Sequence, residues 1–226
     1  MSLPYYNIAC DATYPNLLED RIRSAKNLSC NRSFVEAIES CFGHRPLNIL
    51  DLGCFQGSLV QEFLSRGHLA VGIELCPQKG GFWKDLYGKH LFACNVSHPF
   101  SVLVKEGQNF RDQKDTPEIQ VMDGNEIPFQ HRLLPFDVII GINLAQLINP
   151  EALPIFFMNI RKHLKIGGLF IGSISLEDHF PQNNEIMKWQ NNRLRFIEGL
   201  DFVNYPFESI PYPIFCSFYY GLVRKF

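Results

Sequence analysis

Asn48-Ile49-Leu50-Asp51-Leu52-Gly53-Cys54-Phe55-Gln56-Gly57-Ser58 is the stretch that decides the fold. A short apolar run closes on a carboxylate and enters a turn bearing two glycines. Ser58 then opens a segment that sets Leu59, Val60, Phe63 and Leu64 on one helical face. A strand that feeds such a turn directly into a helix exposes backbone N–H groups at a helix N-terminus. A carboxylate or phosphate is favoured there by free donors and by the helix dipole. Glycine lets a ligand come close to the backbone. Asp51, at the carboxyl end of the strand, offers an acceptor to a ligand ammonium.

The pattern repeats downstream. Gly67 stops the helix, and Leu69–Leu75 is a second buried-strand run, with Glu74 near its end. An acidic residue at that place can accept both hydrogen bonds of a ribose diol. Ile119–Met122 and Phe136–Ile142 read as further strands, with Asp123-Gly124-Asn125 as turn chemistry between them. Glu151–Leu164 has helical periodicity, Gly167-Gly168 is expected to stop it, and Leu169–Ile174 is strand-like again. The aromatic tail, Phe202–Phe207 and Ile214–Val223, reads as an antiparallel hairpin completing the sheet. Strands separated by helical patterns predict βαβ units, hence an α/β fold with a parallel sheet covered on both faces. Upstream, Leu17, Leu18, Ile22, Ala25 and Leu28, then Phe34, Val35, Ile38 and Phe42, recur at helical spacing. Residues 1–45 are therefore expected to form a helical segment, a candidate lid, ahead of a main domain at 46–226. Residues 76–116 are long for one helix between two strands, so an insertion is expected there, with an extra strand around Leu91–Val96.

Composition bounds the function. The 226 residues are 46% hydrophobic and include twenty Phe, so the chain can build a core without staples. Lys+Arg 21 against Asp+Glu 23 gives a net charge of −2, without the basic footprint of a protein that grips a phosphate backbone. Seven cysteines form no CxxC pair and no Cys/His cluster, so neither a disulfide framework nor a metal centre is expected. Reduced thiols, the absence of a signal-like start and the lack of an apolar run of ~20 residues predict a cytoplasmic protein that does not enter the membrane.

Taken together, ILDLGCFQG resembles the first motif of the class I S-adenosylmethionine (SAM)-dependent methyltransferases, strand-D-x-G-x-x-x-G-helix. GIEL resembles their acidic second strand, MDGNEIPF their third-strand segment, and FDVIIGINLAQLI followed by IRKHLKIGGLFIGSIS their fourth strand, helix and fifth strand. The resemblance covers about residues 47–175. It implies a Rossmann-like doubly wound sheet of seven strands, mostly parallel, with an antiparallel last strand. It also implies SAM as cofactor and S-adenosyl-L-homocysteine as product. By motif, the turn Gly53, Cys54, Phe55, Gln56 and Gly57 would hold the methionine part, with Asp51 near its amino group. Glu74 would bind the ribose hydroxyls, Asp123, Gly124 and Asn125 would border the adenine, and Asn143 and Leu144 would lie near the transferable methyl. Phe55 departs from the family, many of whose members carry a glycine there. A phenylalanine resists positive φ, so the turn is expected to use another conformation or lose close approach. GxxxG rather than GxGxxG argues against a nicotinamide enzyme, and the missing GxxxxGK[ST] argues against a P-loop nucleotidase.

Methyl transfer from a sulfonium is an in-line displacement, and a base is needed only where the acceptor carries a proton that must leave. Glu177 and His179, after the fifth strand, are the best-placed candidates; a polar loop and helix cap is the structural alternative. His90, His98 and His131 belong to no motif and read as surface or core residues. The Tyr5, Tyr6 and Tyr14 segment and Tyr205–Phe215 could cover and wall the site, and ordinary aromatic packing would explain them equally well. The absence of an Asn-Pro-Pro-aromatic motif and of a Pro-Cys pair, with near-neutral charge, tilts the expectation to a small-molecule acceptor over nucleic acid. Two alternatives stay open. One is a protein or RNA acceptor met by a basic face with Arg161, Lys162 and Lys165; the other is a non-catalytic binding protein, with Phe55 as its hint.

Overall fold

The computed structural model describes residues 28–74, 83–86, 89–93, 135–142, 144–145, 153–175, 197–203 and 217–226. In chain order the elements are α1 (Leu28–Cys41), β1 (Asn48–Leu52), α2 (Ser58–Ser65), β2 (Leu69–Glu74), α3 (Trp83–Leu86), β3 (Leu91–Ala93) and β4 (Phe136–Gly141). They continue through α4 (Leu153–His163), β5 (Leu164–Ser175), β6 (Leu200–Val203) and β7 (Ser217–Arg224). The described strands join in one mixed sheet in the order β3-β2-β1-β4-β5-β7-β6. β3, β2, β1, β4 and β5 run parallel, while β7 is antiparallel to both β5 and β6. The tail is therefore the antiparallel hairpin that its aromatic pattern predicts.

The central strands are apolar on both faces because both are covered. Every residue of β4 is buried, as are Ile49 through Leu52 of β1. On one face Phe34, Val35 and Ile38 of α1 and Leu59, Val60 and Phe63 of α2 pack on Ile49, Ala70, Val138 and Ile140. On the other, Phe156, Phe157 and Ile160 of α4 meet Leu50, Val71, Ile139 and Phe170. Burying a side chain of this size is worth roughly 1.5–3 kcal/mol, so the three core residues of α2 suffice to hold a helix too short to persist alone. Gly67, at φ +84, ends α2 as expected: its N–H donates to Leu64 O and that of His68 to Phe63 O, the two bonds of a Schellman stop.

Three sequence readings are refined. Of the N-terminal segment, the described part from Leu28 is a core helix whose Glu39 meets His68 and Arg66. Gly167-Gly168 does not end the helix. α4 stops at His163, β5 begins at Leu164, and Gly167 at φ +75 lies in an irregularity where the β4–β5 register shifts. A glycine with positive φ supplies the kink such a bulge needs. The strand around Leu91 does form, and it takes the sheet position beside β2. Ile119–Met122, also expected as a strand, lies outside the described residues.

Candidate functional site

The parallel strands β1, β2 and β4 bring their carboxyl ends to one edge, where ligands bind in open α/β sheets. Asp51 stands there on β1, level with Gly72 of β2 and Ile140 of β4. It is 5% exposed, and among the described residues no donor meets its carboxylate. Burial and the neighbouring charge of Glu74 push its carboxyl up to about 8.

The turn after Asp51 is left-handed at three residues: Gly53 at φ +71, Phe55 at +50 and Gly57 at +77. The expectation that Phe55 would force another conformation is thus corrected. The φ of a non-glycine residue here costs of order 1–2 kcal/mol, and it is held by a hydrogen bond from Phe55 N–H to Glu74 Oε2 at 2.8 Å. The reading of the turn as a set of free donors is corrected as well. Gly53 and Cys54 N–H both donate to Ile73 O, at 2.8 and 3.1 Å, and Gly57 N–H donates to Cys54 O. What remains for a ligand is the start of α2, where Gly57 provides no side-chain cap.

Close packing explains why the turn needs small residues. A Cβ on Gly57 would lie 2.5 Å from Leu91 Cδ1, and one on Gly72 would lie 2.6 Å from Cys54 Sγ. Cys54 is buried, and its thiol is pushed well up by burial and by the charges of Asp51 and Glu74. It stays protonated, which suits a packing residue and not a nucleophile. Leu144 is buried, with Cδ1 3.4 Å from where a Cβ of Gly53 would stand, so it closes the turn from the β4 side.

Asp51, Glu74, the Gly53–Gly57 turn and Leu144 therefore converge on one edge. Asp123, Gly124, Asn125, Asn143, Glu177 and His179 lie outside the described residues. Sequence reasoning missed the supporting roles of Leu91, Ile73 and Gly72. A glycine inside an apolar strand, as in Val71-Gly72-Ile73, is the signal that something approaches closely. Gly172 gives the same signal, for its Cβ position is filled by the ring of Tyr220, which is buried between Phe170 and Phe202. Burial raises that phenol above its ordinary range, so it remains neutral. His90 bonds Ala70 O through Nδ1, a structural role. Among the described residues no group of three or more His, Cys, Asp or Glu is placed to hold a metal ion.

No protein-family model matches the chain, and no curated protein matches its sequence. Its fold is that of solved SAM-dependent methyltransferases. The 1,6-didemethyltoxoflavin-N1-methyltransferase of Burkholderia thailandensis, with 1,6-didemethyltoxoflavin and S-adenosylhomocysteine bound, superposes at TM-score 0.58 and 17% identity, covering 100% of this chain and 91% of that one. Magnesium protoporphyrin IX methyltransferase from Synechocystis PCC 6803, with SAM bound, gives 0.58 at 14% identity over 99% and 98%. The plantazolicin methyltransferase BpumL, with a pentazolic desmethyl analogue and S-adenosylhomocysteine, gives 0.57 at 10% identity over 98% and 95%.

Proposed function

We propose that this chain is a SAM-dependent methyltransferase acting on a small-molecule acceptor. One observation carries the reading: Asp51 is a buried carboxylate with no donor among the described residues, at the strand edge where this fold binds its ligands. A buried carboxylate without a partner costs free energy unless a cation meets it, and the amino group of SAM is such a cation. The residues fit the cofactor in further respects. Gly53 and Gly57 leave both ends of the turn without a side chain, the start of α2 suits a ligand carboxylate, and Glu74 is half-buried at the end of β2, where a ribose diol would meet it.

SAM, when bound, supplies a methyl already activated by its sulfonium. Asp51 would hold the ammonium, Gly53, Cys54, Phe55, Gln56 and Gly57 the methionine part, and Glu74 the ribose. Asp123, Gly124 and Asn125 would border the adenine, with Asn143 and Leu144 beside the reacting methyl. The chain's contribution to the rate is then alignment and exclusion of water. Where the acceptor must lose a proton, Glu177 and His179 are the groups assigned to take it. The domain reading belongs to the same proposal, with residues 46–226 as the cofactor-binding domain and the helical segment 1–45 ahead of it; residues 1–27 lie outside the described residues.

The solved structures of this fold include enzymes with small-molecule or natural-product ligands, which supports a small acceptor over RNA. The basic set also speaks against a macromolecule. α4 leads into the amino end of β5, so Arg161, Lys162 and Lys165 lie at the opposite edge from Asp51. Lys165 is moreover engaged by Asp137, and Arg161 lies over the Phe226 ring. The non-catalytic reading loses its hint, because Phe55 keeps the turn left-handed. No described helix is long and apolar enough to cross a membrane, in keeping with the proposed cytoplasmic setting.

Calorimetric titration with SAM and S-adenosylhomocysteine, with NAD as control, tests the assignment. Binding of both that is lost in folded Asp51→Ala and Glu74→Ala variants supports it and justifies an acceptor screen. A folded protein that binds neither refutes it.

A further inference from the structure

Leu91, the first residue of β3, is fully buried and pairs with Gly72 of β2, which pairs in turn with Asp51 of β1. Three residues thus stand level on successive parallel strands, and the middle one has no side chain. Into the room beside Gly72 come Leu91 Cδ2 and Cys54 Sγ, 2.8 and 2.6 Å from where a Cβ would stand. Leu91 also reaches the far end of the turn. Its Cδ1 lies 2.5 Å from the Cβ position of Gly57, the cap of α2, and the next nearest atoms there are its own Cδ2 and Cγ. One side chain fills the space left by two glycines on two different elements. β3 is seated without help from the turn: Gly72 N–H donates to His90 O at 2.7 Å, His90 N–H to Leu86 O at 2.8 Å, and His90 Nδ1 bonds Ala70 O.

We propose that Leu91 is a positioning residue for the cofactor: from a strand outside the motif it fixes how closely the Gly53–Gly57 turn lies on β2, and so where the N–H groups at the start of α2 point. This role rests on the cofactor reading above and adds to it a residue that acts through Gly57 and Cys54. A close-packed apolar side chain does not yield, so its size sets the height of whatever rests on it. Shortening Leu91 leaves a void under the turn, and the neighbours relax into such a void only in part. A binding turn has to be held within roughly 0.5 Å of its working geometry, so partial relaxation is felt by the ligand. β3 lies within residues 76–116, the stretch that reads as an insertion, and this part of it therefore serves the site.

The test is calorimetric titration of the whole chain with SAM and with 5′-methylthioadenosine, which lacks the amino-acid part that the turn would hold. Leu91→Ala should weaken SAM about tenfold and 5′-methylthioadenosine less than about twofold. Leu91→Val should fall between wild type and Leu91→Ala, and it keeps the test decisive where the larger deletion fails to fold. Leu91→Met, of nearly equal volume, should restore wild-type affinity. Ile160→Ala removes as many buried carbons on the opposite face of the sheet; it should lower the urea midpoint yet leave both affinities within about twofold. SAM affinity that Leu91→Ala and Leu91→Val leave unchanged, or that falls as far in Ile160→Ala, overturns the positioning role and leaves the cofactor assignment standing. An equal loss for the two ligands does the same. Failure of the folded wild-type chain to bind SAM overturns both.

Discussion

Asp51 and Asp137 are buried aspartates on adjacent strands, β1 and β4, at opposite ends of the sheet, and their surroundings differ in kind. Asp137 receives Arg45 Nη2 at 2.6 Å, Lys165 Nζ at 2.8 Å and Asn48 N–H at 2.8 Å. Burial pushes its carboxyl up, yet the bonds from Lys165 and Arg45 outweigh that and hold it below the ordinary range. Asp51 has burial and the charge of Glu74 acting together, and it is raised. The amino edge is thus neutralised within the protein, while the carboxyl edge holds a buried carboxyl that no cation among the described residues meets. The rest of the amino edge agrees: Arg66 spans Glu36, Glu39 and Glu62, and His68 bridges Glu39 and Leu47 N–H.

This contrast is open to attack by substitution. The largest loss of stability is expected from Asp137→Ala, which leaves two half-exposed cations without their partner. It should cost roughly 2–4 kcal/mol, seen as a lower urea midpoint, with SAM affinity unaltered within about threefold. Asp51→Ala should do the reverse. It should weaken SAM about a hundredfold, some 2.7 kcal/mol, while the apo protein melts no lower than wild type. If both variants lose stability and binding together, the division between the edges is wrong.

Gly57→Ala comes next, at about 2 kcal/mol, because its φ of +77 and the nearby Leu91 methyl both oppose a Cβ. Circular dichroism melts would read the loss, and SAM affinity should fall with it.

The pH dependence sharpens the comparison. Asp137 is depressed in the folded state, so its contribution is complete above about 3.9 and disappears as pH falls through its folded value. Asp51 is elevated, so its contribution to the ligand-free protein is largest below about 3.9 and declines as pH rises from there to about 8. Chemical denaturation across pH should therefore show an acid limb below about pH 4 removed by Asp137→Asn and a decline between about pH 4 and about pH 8 relieved by Asp51→Asn. The smallest effect is expected from Phe55→Gly. Relief of the left-handed strain is offset by the freer unfolded chain, leaving less than about 1 kcal/mol.

Much of the site was legible because its parts are local. A carboxylate closing an apolar strand, two glycines spaced to turn the chain and an amphipathic helix start are all written within Asn48–Ser65. Gly67 was legible as a stop for the same reason. β3 was harder: three residues carry too little periodicity, and only pairing with Gly72, Ile73 and Glu74 makes them a strand. Gly167-Gly168 misled because a glycine pair after a helix serves as a stop or as a bulge. The choice rests on Leu164 pairing with Phe136, a partner distant in sequence.

The sequence by itself determined the alternation of strands and helices, the two-faced burial of the central strands and the carboxylates at successive strand ends. Those follow from local periodicity and turn chemistry, which a chain carries in its own order. Tertiary structure alone decided that Phe55 adopts a left-handed φ, because a hydrogen bond from its N–H to another strand's glutamate is needed to hold it there. It alone decided the charge states of two chemically identical aspartates, since a proton's affinity depends on which neighbours folding brings within a few ångströms. Asp137 meets cations at positions 45 and 165, whereas Asp51 is buried and under the charge of a second carboxylate, Glu74.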